Sequence, residues 1–270
     1  DKKQKTTIKT DLGIYDLMAK TPEEFPTTPE HTNSTKIEIN ETILKEIINS
    51  TLFAVSRDEL KPALTGVLFR FSKDGFTAVS TDGHRLVKYS RNDFKTSELN
   101  KEIIVPKKFL SYLINQLSDK KTTIFLGDNY LTAELDKNKV LTKIIDEKFP
   151  DYNSVIPKEN NKTFTIEKDS LLGAIRRVSI FSNKSTHQVA LSLGKKGCFI
   201  TTEDPEKSSK AKESVVGDFD GEEITIGYNA EYLKDVVSHV SGSSLIIRLN
   251  TPVSAALFGN ANQEEHVKSL

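Results

Sequence analysis

The feature that most constrains the fold of this 270-residue chain is an internal repeat. A shift of 124 residues places Phe25-Pro26 on Phe149-Pro150, and it aligns EEFPTTPEHTNSTKIEINETILKEII (23–48) with EKFPDYNSVIPKENNKTFTIEKDSLLGAI (147–175). Similar shifts pair TGVLFRF with QVALSLG, FTAVSTD with CFITTED, and EIIVPKKFLSYL with EITIGYNAEYL. Self-similarity at a fixed spacing is typical of a structural unit that occurs more than once. The sequence therefore predicts two copies of one domain.

Each copy is predicted to contain strands and two helices. Apolar residues recur at helical spacing after Asn40 and Asn229, which can act as N-caps, and after Pro106, which suits the first turn of a helix. The apolar stripes are Ile43, Leu44, Ile47 and Ile48; Phe109, Leu110, Leu113, Ile114 and Leu117; Leu171, Leu172, Ile175 and Val178; and Tyr232, Leu233, Val236, Val237 and Val240. The segments between them alternate apolar and polar residues and turn at SKDG, TDG, GDN and DKNK, as antiparallel strands do. The predicted fold class is α+β, with tandem domains that each pack two helices on antiparallel sheets.

The two Phe-Pro segments mark the predicted domain boundaries, because proline holds the chain extended and removes a hydrogen-bond donor. We predict that residues 1–33 are the end of a first domain, mostly missing, and its linker, that 34–157 are the second domain, and that 158–270 are the third. The chain opens with DKKQKTTIKTDLGIYDLM, which alternates like strands and has neither an initiator Met nor a signal peptide. We therefore expect a fragment of a longer protein.

The composition favours a soluble protein of the cytoplasm. The hydrophobic share is 36%, the charged share is 28%, and no apolar run approaches the roughly 18 residues of a membrane span. The single cysteine, Cys198, cannot form an internal disulfide, which fits a reducing compartment. The 38 basic and 38 acidic residues cancel, so a nucleic-acid partner would have to meet a local basic surface.

Such a surface is predicted on the polar faces of the four helices. Each helix contributes at least one cation, and the candidate DNA-facing residues are Lys45, Lys107, Lys108, Arg176, Arg177 and Lys234, with His239 on the same face. Helices related by repetition could present these cations to one polyanion, which suits contact with a phosphate backbone without base readout. The alternative is an ordinary solvated face, since Glu41, Glu46 and Asp235 lie on the same helices.

The stretch TDGHRL (81–86) has three possible interpretations. Catalysis by Asp82 and His84 is disfavoured because both lie in one turn and no nucleophile motif accompanies them. A plain hairpin turn fits Asp-Gly, but the second copy has TEDPEK at the matching place, so only one copy has this feature. A docking pocket is the third interpretation. No metal or nucleotide motif is found, and the histidines are scattered: His31, His84, His187, His239 and His266. We predict no cofactor and no enzymatic activity.

The succession TDGHRL, IIVPKK, KFPDYNSVIP, SNKSTHQVALSL and IGYNAEYL resembles the bacterial sliding clamp family, the beta subunits of DNA polymerase III. The resemblance runs from about residue 5 to the C-terminus. It implies three clamp domains per full-length chain and a homodimeric, head-to-tail ring that encircles duplex DNA without sequence preference. It also implies a bacterial cytoplasmic location, no membrane partner, and short linear motifs of partners as ligands. The implied partners are the polymerase III alpha subunit, the clamp loader, other polymerases and repair proteins.

In this family TDGHRL lines a peptide-binding groove between the second and third domains. Carried over by position, the groove residues are Leu64, Thr81, Gly83, His84, Arg85, Leu86, Pro150, Val155, Asn229, Tyr232, Val253 and Ala255. Apolar side chains would supply contact area, Gly83 would let a peptide backbone approach, and Arg85 and Asn229 would bond its polar groups.

Three departures from the family pattern bear on this groove. Ser154 stands where relatives often have Arg, and Thr186 replaces a frequent aromatic residue, so we expect a shallower groove with an altered motif preference. The closing Met-Pro segment of the family is absent after Leu270, and with most of a first domain missing we expect that this chain alone does not close a ring. The alternative function is a tandem-domain protein-interaction scaffold that does not encircle DNA.

Overall fold

The structure, a computed structural model, describes residues 5–24, 34–93, 99–136, 138–262 and 267–269. It forms two compact units, Asp1–Ser34 and Thr35–Leu270. In the first unit, β1 (Lys5–Thr10) and β2 (Gly13–Met18) form an antiparallel hairpin, which confirms the predicted strands. Phe25-Pro26, the first predicted linker, lies outside the described residues.

The second unit contains two modules that follow the predicted repeat. The described residues of the first module (35–145) form two α-helices, α1 (Glu41–Thr51) and α2 (Lys107–Leu113). Its strands are β3 (Thr35–Asn40), β4 (Gly66–Ser72), β5 (Gly75–Thr81), β6 (Leu86–Arg91), β7 (Lys101–Pro106), β8 (Lys121–Leu126), β9 (Tyr130–Glu134) and β10 (Lys139–Lys143). They form two antiparallel sheets, in the orders β10-β9-β8-β3 and β6-β5-β4-β7.

The second module (residues 162–260) repeats this arrangement around α3 (Lys168–Ser179) and α4 (Ala230–His239). Its strands are β11 (Lys162–Glu167), β12 (Gln188–Gly194), β13 (Gly197–Asp204), β14 (Ser209–Val215), β15 (Gly217–Asp220), β16 (Ile224–Asn229), β17 (Ser244–Leu249) and β18 (Leu257–Asn260). The sheet orders are β15-β11-β17-β18 and β14-β13-β12-β16. A last strand, β19 (Val267–Ser269), pairs with β6 at the edge of a first-module sheet. The α+β class with two helices on antiparallel sheets in each module is confirmed, while the exact domain boundaries remain a prediction.

Each module has its own apolar core, formed by the predicted helix stripes and the inward faces of both sheets. Leu110 of the first module and Ile175 of the second are fully buried. Burial of a side chain of this size stabilises a fold by about 1.5–3 kcal/mol. A smaller cluster, beneath the end of the first module, includes Phe149 and Tyr152. The second Phe-Pro segment is therefore packed on the first module rather than being a free linker.

The helix starts follow the sequence prediction at both asparagines. The side chain of Asn40 accepts a hydrogen bond from the Thr42 amide, and that of Asn229 accepts from Glu231 and Tyr232. The predicted stripe of α2 is too long, because the helix ends at Leu113 and residues 114–116 form tighter turns. Among the described residues, no helix is long and apolar enough to cross a lipid bilayer.

Candidate functional site

A cavity of about 1160 Å³ lies where the two modules meet. The β5–β6 turn and the segment around Pro150 line it from one side, and β16, α4 and residues 252–258 line it from the other. All twelve groove residues named from the sequence line this cavity: Leu64, Thr81, Gly83, His84, Arg85, Leu86, Pro150, Val155, Asn229, Tyr232, Val253 and Ala255. The structure thus brings together residues that are up to 191 positions apart in the chain, between Leu64 and Ala255.

The TDGHRL turn has a fixed conformation that leaves its tip open. The Asp82 carboxylate accepts hydrogen bonds from the backbone amides of His84 and Arg85. The Thr81 hydroxyl accepts from the Gly83 amide and donates to the Arg85 carbonyl. Gly83 has φ +91°, and no heavy atom lies within 4 Å of the position that a Cβ would take. A side chain here would be strained in the backbone, whereas glycine leaves space for a ligand to approach.

The Arg85 guanidinium is engaged on several sides and its side chain is only 13% exposed. It donates to Asp82 at 3.2 Å, to Asp235 of α4 at 2.8 Å, and to the Phe53 carbonyl at 3.0 Å. It also lies over two rings, 5.3 Å from the centroid of Phe53 and 4.9 Å from that of Tyr232. Three of the five N–H donors of Arg85 are therefore used within the protein. Arg85 also lines the cavity, and its expected bond to a peptide stays a prediction.

Aromatic contacts continue from this arginine on both sides. The rings of His84 and Tyr232 stack with centroids 5.6 Å apart and an interplanar angle of 20°. The rings of Phe53 and His239 stack at 4.0 Å and 11°. The amide of Asn229 is also occupied, since it caps α4 and donates to the Thr186 carbonyl. The polar groups expected to contact a ligand thus build the walls of the cavity.

The apolar lining is the part of the cavity that remains open. Val155 is 63% exposed and Val253 is 96% exposed, and both line the cavity. Leu64 and Leu86 are half-buried and pack on the small cluster around Phe149. Because exposed apolar side chains on a concave surface gain stability when a ligand covers them, this lining favours an apolar ligand segment.

The two substituted positions among these departures, Ser154 and Thr186, are not part of the cavity lining. The Ser154 hydroxyl donates to the Asp151 carbonyl, and the Thr186 amide donates to the Asn183 side chain. Neither residue is among those that line the cavity. Any effect on motif preference would act at the rim.

The six candidate DNA-facing cations differ in their surroundings. Arg177 is paired with Glu213, and Lys234 with Glu231. Burial, together with the charges of Arg57 and Arg85, lowers the pKa of the half-buried Lys107 amine. Among the described residues, no ion pair forms with the remaining three: Lys45, Lys108 and Arg176.

Sequence reasoning missed three residues that shape this site: Phe53, Asp235 and His239. Asp235 and His239 appear in the sequence only as members of a polar helix face, and Phe53 follows α1 without a periodic pattern. Each of them contacts a residue of the other module. Phe53 and His239, which stack on each other, are 186 positions apart. A local pattern cannot predict contacts at that separation.

Comparison with known proteins agrees with the geometry. Residues 38–151 match the family described as DNA polymerase III beta subunit, central domain, and residues 153–270 match its C-terminal domain. The chain is 29% identical over 264 residues to the Beta sliding clamp of Pseudomonas putida, covering 97% of this chain and 72% of that protein. It is 30% identical over 195 residues to the Beta sliding clamp of Vibrio cholerae, covering 71% of this chain and 53% of that protein.

Solved structures give the same result. The crystal structure of the DNA polymerase III subunit beta from Pseudomonas aeruginosa has a TM-score of 0.88 at 28% identity, and the alignment covers 98% of this chain and 73% of that chain. The DNA polymerase sliding clamp from Bacillus subtilis shares the fold, with a TM-score of 0.88 at 24% identity. The chain therefore belongs to the family of DNA polymerase III beta subunits, the bacterial sliding clamps.

Proposed function

We propose that this chain works in a clamp that encircles duplex DNA and tethers polymerases through the cavity between its two modules. The clamp performs no chemistry of its own and acts in the bacterial cytoplasm. The observation that carries the proposal is the cavity itself, since all twelve groove residues line one space at the junction of the modules.

The cavity suits an extended peptide with apolar side chains. Val155 and Val253 offer exposed apolar area in the lining, and the open tip at Gly83 gives a peptide backbone room to approach. The proposed ligands are short linear motifs of the DNA polymerase III alpha subunit, the clamp loader, other polymerases and repair proteins. Because the polar wall groups are already bonded to one another, we expect apolar side chains to supply most of the affinity.

The helix cations support a loose contact with DNA. Lys45, Lys108 and Arg176 make no ion pair within the described part of the chain, so they are available to phosphates. Contacts of this kind are independent of base sequence and weaken as salt rises. A tether that moves along duplex DNA needs such contacts, because bonds to particular bases would hold it in one place.

An apolar patch on the second module supports a homodimeric ring. Ile180 is 71% exposed and Phe181 is 45% exposed, directly after α3. They lie beside β14, an edge strand whose outer backbone groups have no partner strand among the described residues. An exposed apolar pair beside an open strand edge is a surface that a second copy can cover.

Two experiments test the proposal. A fluorescent peptide with the clamp-binding segment of the polymerase III alpha subunit is titrated with the protein, and saturable binding is expected. The same peptide with its apolar side chains changed to alanine is the control and is expected not to bind. Equal binding of both peptides would refute the groove.

Encirclement is tested by topology. A clamp assembled from the longer protein that the sequence predicts is loaded onto a nicked circular plasmid by the clamp loader. It is expected to stay with the circle and to be lost once the plasmid is cut. Equal retention on circular and linear DNA would refute encirclement. Peptide binding without retention on either DNA would favour the protein-interaction scaffold instead.

A further inference from the structure

A series of contacts centred on Arg85 joins the two modules at one end of the cavity. His239 stacks on Phe53, Phe53 lies against the Arg85 guanidinium, the guanidinium lies over Tyr232, and Tyr232 stacks on His84. Phe53, His84 and Arg85 belong to the first module, whereas Tyr232 and His239 belong to α4. Three of the four contacts therefore cross from one module to the other.

The electrostatic partners of Arg85 also come from both modules. Asp82 lies on the same turn, 3.2 Å from the guanidinium, and Asp235 lies on α4 at 2.8 Å. A third donor is bonded to the Phe53 carbonyl. Since a guanidinium has five N–H donors in a rigid plane, it can hold two acidic groups and two rings in one geometry.

We propose that Arg85 is a positioning residue, which with Asp235 and Phe53 fixes the two walls of the cavity relative to each other. In this role it acts on peptide affinity through the spacing of the walls, which is separate from the contact that Arg85 can make with the peptide as a lining residue. The inference deepens the proposed function and depends on peptide binding in this cavity. It assigns a role in affinity to Asp235 and Phe53, neither of which is among the residues named from the sequence as groove residues.

The two possible roles of Arg85 differ in how it is coupled to Asp235. Asp235 is not among the residues that line the cavity, so the main effect expected of its removal is the loss of the bond to Arg85. If Arg85 acts through the inter-module bond, Asp235→Ala lowers affinity by a large part of what Arg85→Ala costs. If Arg85 acts only through a contact with the peptide, Asp235→Ala has little effect.

The test is a double-mutant cycle on affinity for the alpha-subunit peptide, measured by fluorescence anisotropy. We expect about a tenfold loss for Arg85→Ala, a loss of several-fold for Asp235→Ala, and little further loss in the double variant, since coupled residues are not additive. Unchanged affinity in Asp235→Ala, or additive losses, would overturn the proposal. Wild-type protein that binds no peptide would instead contradict the proposed function.

Two further variants separate position from charge and from folding. Arg85→Lys keeps the charge but loses the planar fork and the ring contacts, so it is expected to bind nearly as weakly as Arg85→Ala. Full rescue by lysine would contradict the positioning role. The matched control is Asp136→Ala, which breaks an ion pair with Lys120 on the first module alone and is expected to leave affinity unchanged.

A direct readout is the distance between the modules. Spin labels at Lys73 and Lys195, on exposed turns of the first and second modules, report this distance without peptide. Arg85→Ala and Asp235→Ala are expected to broaden the distance distribution relative to wild type and Asp136→Ala. Unchanged distributions together with weakened binding would assign Arg85 a direct contact instead.

Discussion

Two neighbouring arginines on α3 differ in what they contact, and this difference predicts opposite effects on DNA binding. The Arg177 guanidinium donates to both carboxylate oxygens of Glu213, at 3.1 and 2.5 Å. This bond lowers the pKa of Glu213 and raises that of Arg177. Arg176 is exposed, and its side chain forms no ion pair with any residue that the structure describes.

The magnitude follows from counterion release. Each cation that neutralises a phosphate contributes about 0.9 to the slope of log affinity against log salt. Arg176→Gln is therefore expected to lower that slope by about 0.9 per chain. Between about 50 and 200 mM salt, the affinity of the variant would then fall by a factor about 3.5 times smaller than that of the wild type. Glu213→Gln frees Arg177 for DNA, so it is expected to strengthen binding and to raise the slope by up to about 0.9.

The assay is fluorescence anisotropy of a labelled duplex over a series of salt concentrations. Arg176→Gln and Glu213→Gln are compared with wild type and with Lys195→Gln, a control on the exposed β12–β13 turn. An unchanged slope in Arg176→Gln, or weaker binding by Glu213→Gln, would refute the assignment of this helix face to DNA.

Three stability predictions use chemical denaturation. Glu41→Ala is expected to lower the free energy of unfolding by about 2–4 kcal/mol, because the buried carboxylate accepts hydrogen bonds from the amide and the hydroxyl of Ser118. A loss below about 1 kcal/mol would contradict this. Lys168→Ala, at the equivalent helix start of the second module, removes one hydrogen bond to the Val240 carbonyl and is expected to cost only about 1 kcal/mol; a larger loss than in Glu41→Ala would reverse the expected order. Tyr228→Phe removes a buried hydroxyl that has no hydrogen-bond partner among the described residues, so it is expected to leave stability unchanged or to raise it by about 1 kcal/mol; a clear destabilisation would show that the hydroxyl is bonded in solution.

The fold was largely predictable because its signals are local and occur twice. Asn40 and Asn229 begin α1 and α4 as their side-chain chemistry indicates. The end of α2 was not predictable from periodicity, because Leu117 stays buried although the helix ends at Leu113. Tight turns over residues 114–116 keep the apolar stripe facing the core, so the sequence pattern continues past the helix.

The residues that line the candidate site were predictable, but the contacts that they make with one another were not. Resemblance to the clamp family named the lining residues, and all of them meet in one cavity. The engagement of Arg85 by Asp235 and Phe53 could not be predicted, since Asp235 is 150 positions away and carries no motif. Contacts between modules depend on how two packed surfaces meet, which no short sequence pattern encodes.

The most direct test of the account is a crystal structure of this chain with the alpha-subunit peptide. We predict peptide density between the Gly83 turn and α4, with apolar side chains against Val155 and Val253 and with Arg85 still bonded to Asp235. Peptide density outside this cavity would contradict the proposed function, and an Arg85 that leaves Asp235 to bond the peptide would contradict its positioning role.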